Sequence, residues 1–394
     1  MAKGIQFDGR PVWAEISTSA LKHNLRAIRR RVGRGRKILA IVKGNAYGHG
    51  AVEVSRVLER ERVDLLGVTC TTEAIELRES GVRSPILLLS GTWQGEEPRV
   101  FRHKLTPAVT NVAQLRNLER AASRARLRRP LGFHLKVDTG MNRLGVMPED
   151  IGKFLAALAD CRRLKLEGTF THFASSENFA SGQTEEQERR FATVLERMRA
   201  AGCDPGMAHL ANSAAIASRP STWADMVRPG AILYGYHQNY DPPEKRLAAE
   251  QALPLRLVLS LRARILMIRD VKRGEGVGYN ARFTAERDSR IAILAAGYAD
   301  GLVRHRHPGG PDAVGRRCVL LHGQCAPVVG IVSMDLAAVD VTGIPAARVG
   351  DVVTIYGTDG ERSLPVSDAA RQMGTVTSDL LTSIGARVRR ICVR

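Results

Sequence analysis

The chain has 394 residues, 44% of them hydrophobic, which is enough for a large core and for two domains. Its 59 Lys and Arg residues exceed its 40 Asp and Glu residues, giving a formal net charge of +19. The first residues lack the basic and apolar segments of a secretory signal, and no run of about 18 apolar residues follows. We therefore expect a cytoplasmic protein that does not span a membrane.

The basic residues are spread along the chain, and the densest group has the spacing of a helix face. Four arginines recur at intervals of four residues: Arg116, Arg120, Arg124 and Arg128. This spacing favours a solvated helix face over a surface for a polyanion. No recognition helix, zinc finger or RNA-binding signature is found, so we expect no nucleic-acid partner.

The six cysteines are scattered, at positions 70, 161, 203, 318, 325 and 392, and none forms a C-x-x-C pair. This arrangement predicts packing residues of a reduced protein. We expect neither a metal site nor a disulfide framework.

From the amino terminus, a strand-like run at residues 11–16 precedes a long alternation of apolar runs and amphipathic helical patterns. Eight runs of strand length lie near residues 38–42, 65–69, 86–89, 105–109, 133–137, 167–171, 207–210 and 231–234. Eight strands separated by helices over about 200 residues are typical of a (β/α)₈ barrel.

Around residues 241–246 the pattern changes to period two, with runs near 255–265, 290–296, 318–321, 327–332 and 351–356. His322-Gly323-Gln324 is typical of a hairpin turn. We therefore expect an α/β plus β fold. A barrel domain would span residues 11–248, and a mainly antiparallel β domain would span 249–394, with the first ten or so residues as a candidate addition.

In a barrel, functional side chains follow the carboxyl ends of the strands. Lys43 ends the first barrel run and is followed by a glycine-rich turn. A solvated lysine that caps a strand is the competing interpretation. Polar residues also end later strands: Lys136 to Gly145, His172, His209 to Ser213, and Arg228. Singly, the histidines could be structural and Asn212-Ser213 a helix cap, but together they predict one site.

The segment 42–50 reads V-K-G-N-A-Y-G-H-G. It closely resembles the pyridoxal-phosphate (PLP) lysine motif of alanine racemases, usually V-K-A-N-A-Y-G-H-G, with Gly44 in place of Ala. Further matching motifs are K-V-D-T-G-M-N-R-L-G, T-H-F-A-S, A-N-S-A-A, V-R-P-G, G-E-G-V-G-Y, G-Y-A-D-G and S-M-D. The resemblance covers essentially the full chain.

The resemblance implies a role for each matching residue. Lys43 would be the Schiff-base lysine, and Arg228, backed by His209, would face the pyridine nitrogen. The remaining cofactor-binding positions would be Tyr47, His172, Asn212, Ser213, Gly230, Ala231 and Ser378. No metal is implied.

The resemblance also implies a homodimer that acts on a small amino acid. Tyr279 of one subunit would reach the site of the other and serve, with Lys43, as a catalytic base. Arg143 and the Met334 backbone would bind the substrate carboxylate. Supporting roles would fall to Lys136, which can be carbamylated in the family, and to Asp335 and Tyr298.

The expected activity is PLP-dependent, two-base racemisation of L- and D-alanine, which supplies D-alanine for peptidoglycan. Near the site, Ser378 replaces a family Tyr, and Ile331 and Ser333 replace an Arg and a Cys. A broader or serine-type racemase of the same family is therefore an alternative. A PLP decarboxylase would need an acidic group where Arg228 stands, and a single-barrel PLP carrier would lack the β domain.

Overall fold

The computed structural model describes residues 9–304 and 317–394. They form two compact units: one comprises Ala20–Arg256, and the other comprises the described residues up to Ser19 together with Leu257–Arg394. None of the helices in these ranges combines the length and apolarity needed to cross a membrane.

The first unit is a nearly closed barrel of eight parallel strands. In chain order they are β2 (Lys37–Ile41), β3 (Leu65–Val68), β4 (Ile86–Leu88), β5 (Thr106–Val109), β6 (Leu131–Lys136), β7 (Leu164–Phe170), β8 (Met207–His209) and β9 (Met226–Val227). Neighbours in the chain are neighbours in the sheet, and β9 lies beside β2. Between β8 and β9 the Asp225 amide donates to the Ala208 carbonyl over 3.1 Å. The expected (β/α)₈ barrel is confirmed.

Helices surround the barrel because each of the longer ones has one apolar face. They are α1 (Thr18–Val32), α2 (Lys43–Tyr47, a single turn), α3 (Ala51–Arg60), α4 (Thr71–Glu79), α5 (Glu97–Arg102), α6 (Val112–Arg124), α7 (Ile151–Ala159), α8 (Gln183–Ala200), α9 (Ser213–Ser218) and α10 (Glu244–Ala252). Short 3₁₀ helices span Pro148–Asp150, Pro220–Thr222 and Ala231–Tyr234.

The expected eighth strand at residues 231–234 is wrong. The eighth strand is Met226–Val227, and Ala231–Tyr234 forms a 3₁₀ helix instead. Ile232, Leu233 and Tyr234 are buried there, and the Tyr234 hydroxyl donates to the Ile41 carbonyl over 2.8 Å. A buried apolar run of four residues fits a strand or a helical turn equally well, so its pattern could not distinguish them.

The second unit is built on a nine-stranded, mainly antiparallel sheet. Its strands are β1 (Val12–Ser17), β10 (Leu259–Val271), β13 (Ser289–Leu294), β14 (Cys318–Leu321), β15 (Gln324–Val329), β16 (Ala337–Asp340), β17 (Val352–Asp359), β18 (Arg362–Leu364) and β19 (Arg389–Val393). A small separate hairpin pairs β11 (Gly276–Val277) with β12 (Phe283–Thr284). Helices α11 (Val366–Gln372) and α12 (Thr377–Thr382), and 3₁₀ helices Tyr279–Ala281 and Tyr298–Asp300, complete it.

Strand β1 belongs to this sheet, whereas the expected barrel range began at residue 11. It pairs with β10 in antiparallel and with β19 in parallel orientation. Its residues Val12, Trp13, Ala14 and Ile16 are buried. The sequence could not show which sheet contains this strand, because the pattern of apolar residues indicates burial and does not identify the neighbouring strands.

The expectation that the cysteines are reduced packing residues is wrong for two of the six. Cys318 and Cys325 form a disulfide across the hairpin of β14 and β15. The two-residue turn between these strands, His322-Gly323, has φ angles of 51° and 72°, as a tight hairpin turn requires. This turn brings the two cysteines to a Cα separation of 5.5 Å, within bonding reach.

Candidate active site

Lys43 follows β2 and opens a turn with left-handed backbone. Gly44, Asn45, Ala46 and Tyr47 have φ between 53° and 62°, and Gly48 has φ of 80°. The left-handed region costs about 1–2 kcal/mol for each residue other than glycine. The surrounding structure must therefore hold this turn, and such strain clusters at functional sites.

The hydrogen bonds that hold the turn come from its own backbone and from α4. The Ala46 amide donates to the Val42 carbonyl over 2.8 Å. The Glu73 carboxylate accepts from the Gly44 amide over 2.7 Å and from the Thr69 amide over 2.8 Å. Glu73 thus ties the turn after β2 to the end of β3. Burial, and then the charge of Arg143, lower the pKa of Lys43, which increases its neutral fraction.

Arg228 is a buried cation, only 3% exposed. Its Nη1 group donates to the carbonyl and to Nδ1 of His209, over 2.7 and 3.2 Å. Its Nη2 group donates to the carbonyls of Thr171 and Leu210 and to Nδ1 of His172. Burial lowers the pKa of Arg228 to about 9, so it stays charged at neutral pH. Its Nε–H has no partner among the described residues.

The charged guanidinium fixes the protons of the histidines around it. Nδ1 of His209 accepts from Arg228, so the His209 proton is on Nε2, which lies 2.9 Å from Nδ1 of His134. By the same assignment, His172 carries its proton on Nε2. Burial and the charge of Arg228 hold the pKa values of His209 and His172 well below the ordinary value. Both rings are therefore neutral at pH 7.

The loop after β6 is wrapped around the Asp138 carboxylate. Oδ1 accepts from the amides of Gly140, Met141 and Asn142, and Oδ2 accepts from the Arg143 amide over 2.7 Å. Burial alone would raise the pKa of Asp138, but these four bonds lower it. The Arg143 guanidinium is exposed and has no partner among the described residues, so it can receive an anion.

Lys136 precedes this loop and is buried, at 7% exposure. Burial, and then the charges of Arg143 and Arg228, lower the pKa of Lys136 to about 8. No carboxylate pairs with it among the residues that the structure describes. A lysine of this kind is partly neutral near pH 7 and available for chemistry at its Nζ.

The loops after β6 and β7 are joined by a buried glutamine on α8. The Gln187 amide donates to Thr139 Oγ1 over 3.2 Å and to the His172 carbonyl over 3.0 Å. Its oxygen accepts from the Ala174 amide over 2.9 Å. The position of His172 therefore depends on a helix that lies outside the motif.

A small polar cradle lies where α9 and the 3₁₀ helix at 231–234 begin. The Gly230 amide donates to Ser213 Oγ over 2.9 Å, so the Ser213 proton is free for another acceptor. A Cβ atom at Gly230 would lie 2.5 Å from the Tyr47 hydroxyl. Burial raises the pKa of Tyr47 to about 12, so this hydroxyl remains a donor. Hydroxyls and the first amides of a helix, here at Ala231, suit an anion such as phosphate.

Asn212 has a structural task in this region. Its side-chain oxygen accepts from the Ala215 amide over 3.1 Å and from the Ser176 hydroxyl over 2.7 Å. It is the N-cap of α9, as the competing interpretation of the sequence had it. Both contacts position the helix that presents Ser213.

In the second unit, Met334 and Asp335 lie in a turn packed against residues 297–300. The Tyr298 amide donates to the Ser333 carbonyl over 3.0 Å, and a Cβ at Gly297 would lie 2.3 Å from the Met334 carbonyl oxygen. Asp300, which is fully buried, and Asp335 both pair with Arg387, over 2.8 and 2.7 Å. No pattern in the sequence had indicated a role for Asp300 or Arg387.

Tyr279 lies at the start of the 3₁₀ helix between β11 and β12, and its side chain is 61% exposed. The preceding residues pack against the segment that leads to the Met334 turn, since a Cβ at Gly330 would lie 2.9 Å from the Val277 carbonyl oxygen. Ser378 is the second residue of α12. No hydrogen bond among the described residues links either side chain to the Met334 turn. The structure thus brings the barrel candidates together at one end of the barrel, and it places Met334, Asp335, Tyr298, Tyr279 and Ser378 in the second unit.

Several residues that hold the site were missed by the sequence analysis: Glu73, His134, Asp138 as an anchor, Gln187, Asp300 and Arg387. Asp138 could have been found, because an aspartate before Thr-Gly is typical of a loop in which the carboxylate accepts nearby amides. Glu73 and Gln187 could not have been found. Their function depends on contacts between helices and loops that are distant in sequence.

A parallel barrel with a lysine, a buried arginine and an anion cradle at the carboxyl ends of its strands defines an α/β-barrel enzyme. Comparison with known sequences makes the class specific. Residues 16–238 match the description "Alanine racemase, N-terminal domain" and residues 258–392 match "Alanine racemase, C-terminal domain". The chain belongs to the alanine racemase family, and racemisation of alanine is the isomerase activity that this membership supports.

Individual relatives agree along the whole chain. An alanine racemase of Sorangium cellulosum is 39% identical, covering 97% of this chain and 98% of the relative. One of Methanococcus maripaludis is 36% identical, covering 97% and 98%. The solved alanine racemase of Clostridium difficile 630 superposes with a TM-score of 0.88 at 32% identity, covering 99% of this chain and 98% of that one.

The left-handed turn generates a prediction for Gly44→Ala. A Cβ at φ of 62° should lower the free energy of unfolding by about 1 kcal/mol. Gly152→Ala is the control, because Gly152 lies in α7 and a Cβ added there would meet no atom within 4 Å. That change should stabilise by roughly 0.5–1 kcal/mol. Urea unfolding of the two variants should give shifts of opposite sign, and shifts of the same sign would contradict the strain.

Asp138→Asn tests the anchor of the Arg143 loop. Loss of the charged acceptor should cost about 1–3 kcal/mol of unfolding free energy at neutral pH. Because the folded pKa of Asp138 is lowered, its stabilisation is full above the unfolded value of about 3.9 and disappears as pH falls through the folded value. The difference between wild type and variant, from urea unfolding, should therefore shrink below about pH 4.

The matched control is Asp150→Asn, since Asp150 pairs with the exposed Lys153 only. Surface pairs of this kind contribute under about 1 kcal/mol. If both variants lost the same unfolding free energy at neutral pH, the hydrogen bonds to the Asp138 carboxylate would contribute no more to stability than a surface ion pair.

Proposed function

We propose that the chain racemises alanine with PLP as cofactor, by a two-base mechanism. The observation that carries this is the buried Arg228, which commits four of its N–H groups to protein acceptors and leaves Nε–H as a donor. An unprotonated pyridine nitrogen is an acceptor that fits it, because the always-charged guanidinium would not give up a proton.

The residues fit the cofactor at both ends. Arg228 would bind the ring nitrogen, while the Ser213 and Tyr47 hydroxyls and the Ala231 amide would hold the phosphate; Gly230 would contribute by positioning Ser213 through its own amide. Lys43 would be the covalent attachment point. When bound, PLP serves as an electron sink that acidifies the α-carbon of an amino acid.

Two groups of the protein would exchange the α-proton. Lys43 Nζ, whose pKa is lowered by burial and by Arg143, would act on one face of the α-carbon. The Tyr279 hydroxyl of the partner subunit in a homodimer would act on the other. His172 Nε2–H, held by Arg228 and Gln187, would be the hydrogen-bonding neighbour of that tyrosine. Ser378 and Tyr298 would complete the site.

Arg143 would bind the substrate carboxylate together with the Met334 backbone, which Asp335 supports through Arg387. Lys136, without a carboxylate partner among the described residues and with its pKa lowered to about 8, would add CO₂ at its neutral Nζ and release a proton, and the resulting carbamate would support Arg143. The product would be D-alanine for peptidoglycan, made in the cytoplasm.

The experiment that tests the function has two readouts. A chiral assay should show interconversion of L- and D-alanine. Borohydride reduction followed by peptide mapping should place a pyridoxyl group on Lys43. A pyridoxyl group on another lysine, or on none, would overturn the cofactor assignment independently of the rate.

Ser378 favours a second candidate, a racemase that also accepts serine. A family tyrosine is absent at this position, which leaves a larger space. Wild type should then racemise serine at a useful fraction of its alanine rate. Ser378→Tyr should lower serine turnover more than alanine turnover, by roughly ten- to two-hundredfold in the ratio. An unchanged ratio would remove Ser378 from the specificity argument.

The shared site is tested by mixed dimers. Lys43→Ala and Tyr279→Phe homodimers should each be nearly inactive, because one face of the α-carbon lacks its base. In a mixed dimer, two-fold symmetry puts both lesions in one site and leaves the other intact. Co-expression with two affinity tags and isolation of the doubly tagged dimer should recover about half of wild-type activity. An inactive mixed dimer would mean that both bases come from one chain.

A further inference from the structure

Eight exposed arginines lie on the outside of the barrel unit and form what we call the arginine patch. They are Arg116, Arg120 and Arg124 on α6, Arg126, Arg128 and Arg129 in the loop before β6, and Arg162 and Arg163 in the loop before β7. The sequence indicated a stripe of four. In the structure α6 ends at Arg124, so Arg128 lies in the loop before β6, and the two loops add four further arginines.

Hydrogen bonds hold the three segments in one surface. The Leu131 amide donates to the Arg163 carbonyl over 2.8 Å, and the Arg163 guanidinium donates to the Leu127 carbonyl over 2.9 Å. Glu119 on α6 accepts from the amides of Arg162 and Arg163, over 3.2 and 3.0 Å. The loops are thus fastened to the helix that carries the stripe.

The charge of the patch is not neutralised. None of its arginines forms an ion pair with a described residue, although many other arginines of the chain do. Two carboxylates lie beside it, those of Glu119 and Asp160, and Glu119 is engaged by backbone amides. Across the barrel, by contrast, Glu61 pairs with Lys22 and Arg26.

We propose that the arginine patch binds the phosphate backbone of duplex nucleic acid without sequence preference. Guanidinium groups bind phosphate in a bidentate manner, and sequence-independent binding rests on such contacts. Segments 111–129 and 160–165 contain no Phe, Tyr or Trp, so the patch offers no platform for stacking single-stranded bases. No large exposed apolar residue lies in these segments, which argues against insertion into a lipid surface.

The sequence alone predicted no nucleic-acid partner, because it indicated only a stripe of arginines on one helix. The arginine patch leads to the opposite conclusion. It is independent of the racemase site, because none of the eight arginines belongs to that site. The two sources of the duplex backbone, DNA and RNA, share the phosphate chemistry and are separate arms of the test.

The test measures fluorescence anisotropy of labelled 20-base-pair DNA and RNA duplexes against salt concentration, with full-length protein. The patch variant carries Arg120→Gln, Arg124→Gln and Arg128→Gln. Loss of three phosphate contacts should reduce the slope of log K against log salt by about 2.7, which weakens binding roughly a hundredfold at 0.15 M salt. Alanine racemisation should be unchanged, which shows that the variant is folded.

The control variant carries Arg30→Gln, Arg34→Gln and Arg60→Gln, which lie around β2 and β3, on the side of the barrel away from β6. All three are exposed and the variant loses the same charge. Binding of either duplex that falls in the patch variant and persists in the control supports the proposal. Equal loss in both variants, stronger binding of single strands, or binding only to phosphatidylserine vesicles would overturn it.

Discussion

The barrel site depends on one buried cation. Arg228 is almost fully buried, in a position where an unpaired charge would cost several kcal/mol. Backbone carbonyls and neutral imidazoles compensate for this, so the guanidinium is solvated by dipoles and not by an acidic residue. The absence of a carboxylate partner among the described residues keeps the net charge of the site positive. Burial first, and then the positive charges of the site, lower the pKa values of Lys136 and His172.

Around this cation, the site is positioned by groups that do not themselves face a substrate. Glu73 holds the turn of Lys43, Asp138 holds the loop of Arg143, and Gln187 holds His172. Each acts through backbone amides or carbonyls, so each fixes a segment of main chain and not only one side chain. The barrel brings the functional side chains to the carboxyl ends of its strands, and these contacts between neighbouring loops fix their exact positions.

The sequence predicted the barrel well because its strands are buried apolar runs, whose pattern directly reports a local conformation. It also predicted that five polar residues lie at or just after the carboxyl ends of barrel strands, which is where the structure has them: Lys43, Lys136, His172, His209 and Arg228. The predicted position of the eighth strand was wrong because the actual strand has only two residues, too few to show a pattern. The left-handed turn and the pair of Asp300 with Arg387 could not be predicted, because both depend on tertiary contacts.

The parallel pairing of β1 with β19 bears on how the protein is made. Ser17 lies beside Val393, so the first of the described strands to be synthesised is completed by the last of them. At about 5–20 residues per second, roughly 375 residues of synthesis separate the two, or about 20–75 s. The barrel segment can fold within that interval, whereas one edge of β1 stays unsatisfied until β19 has been synthesised. A pause in translation would therefore expose this strand to aggregation for longer than any barrel strand.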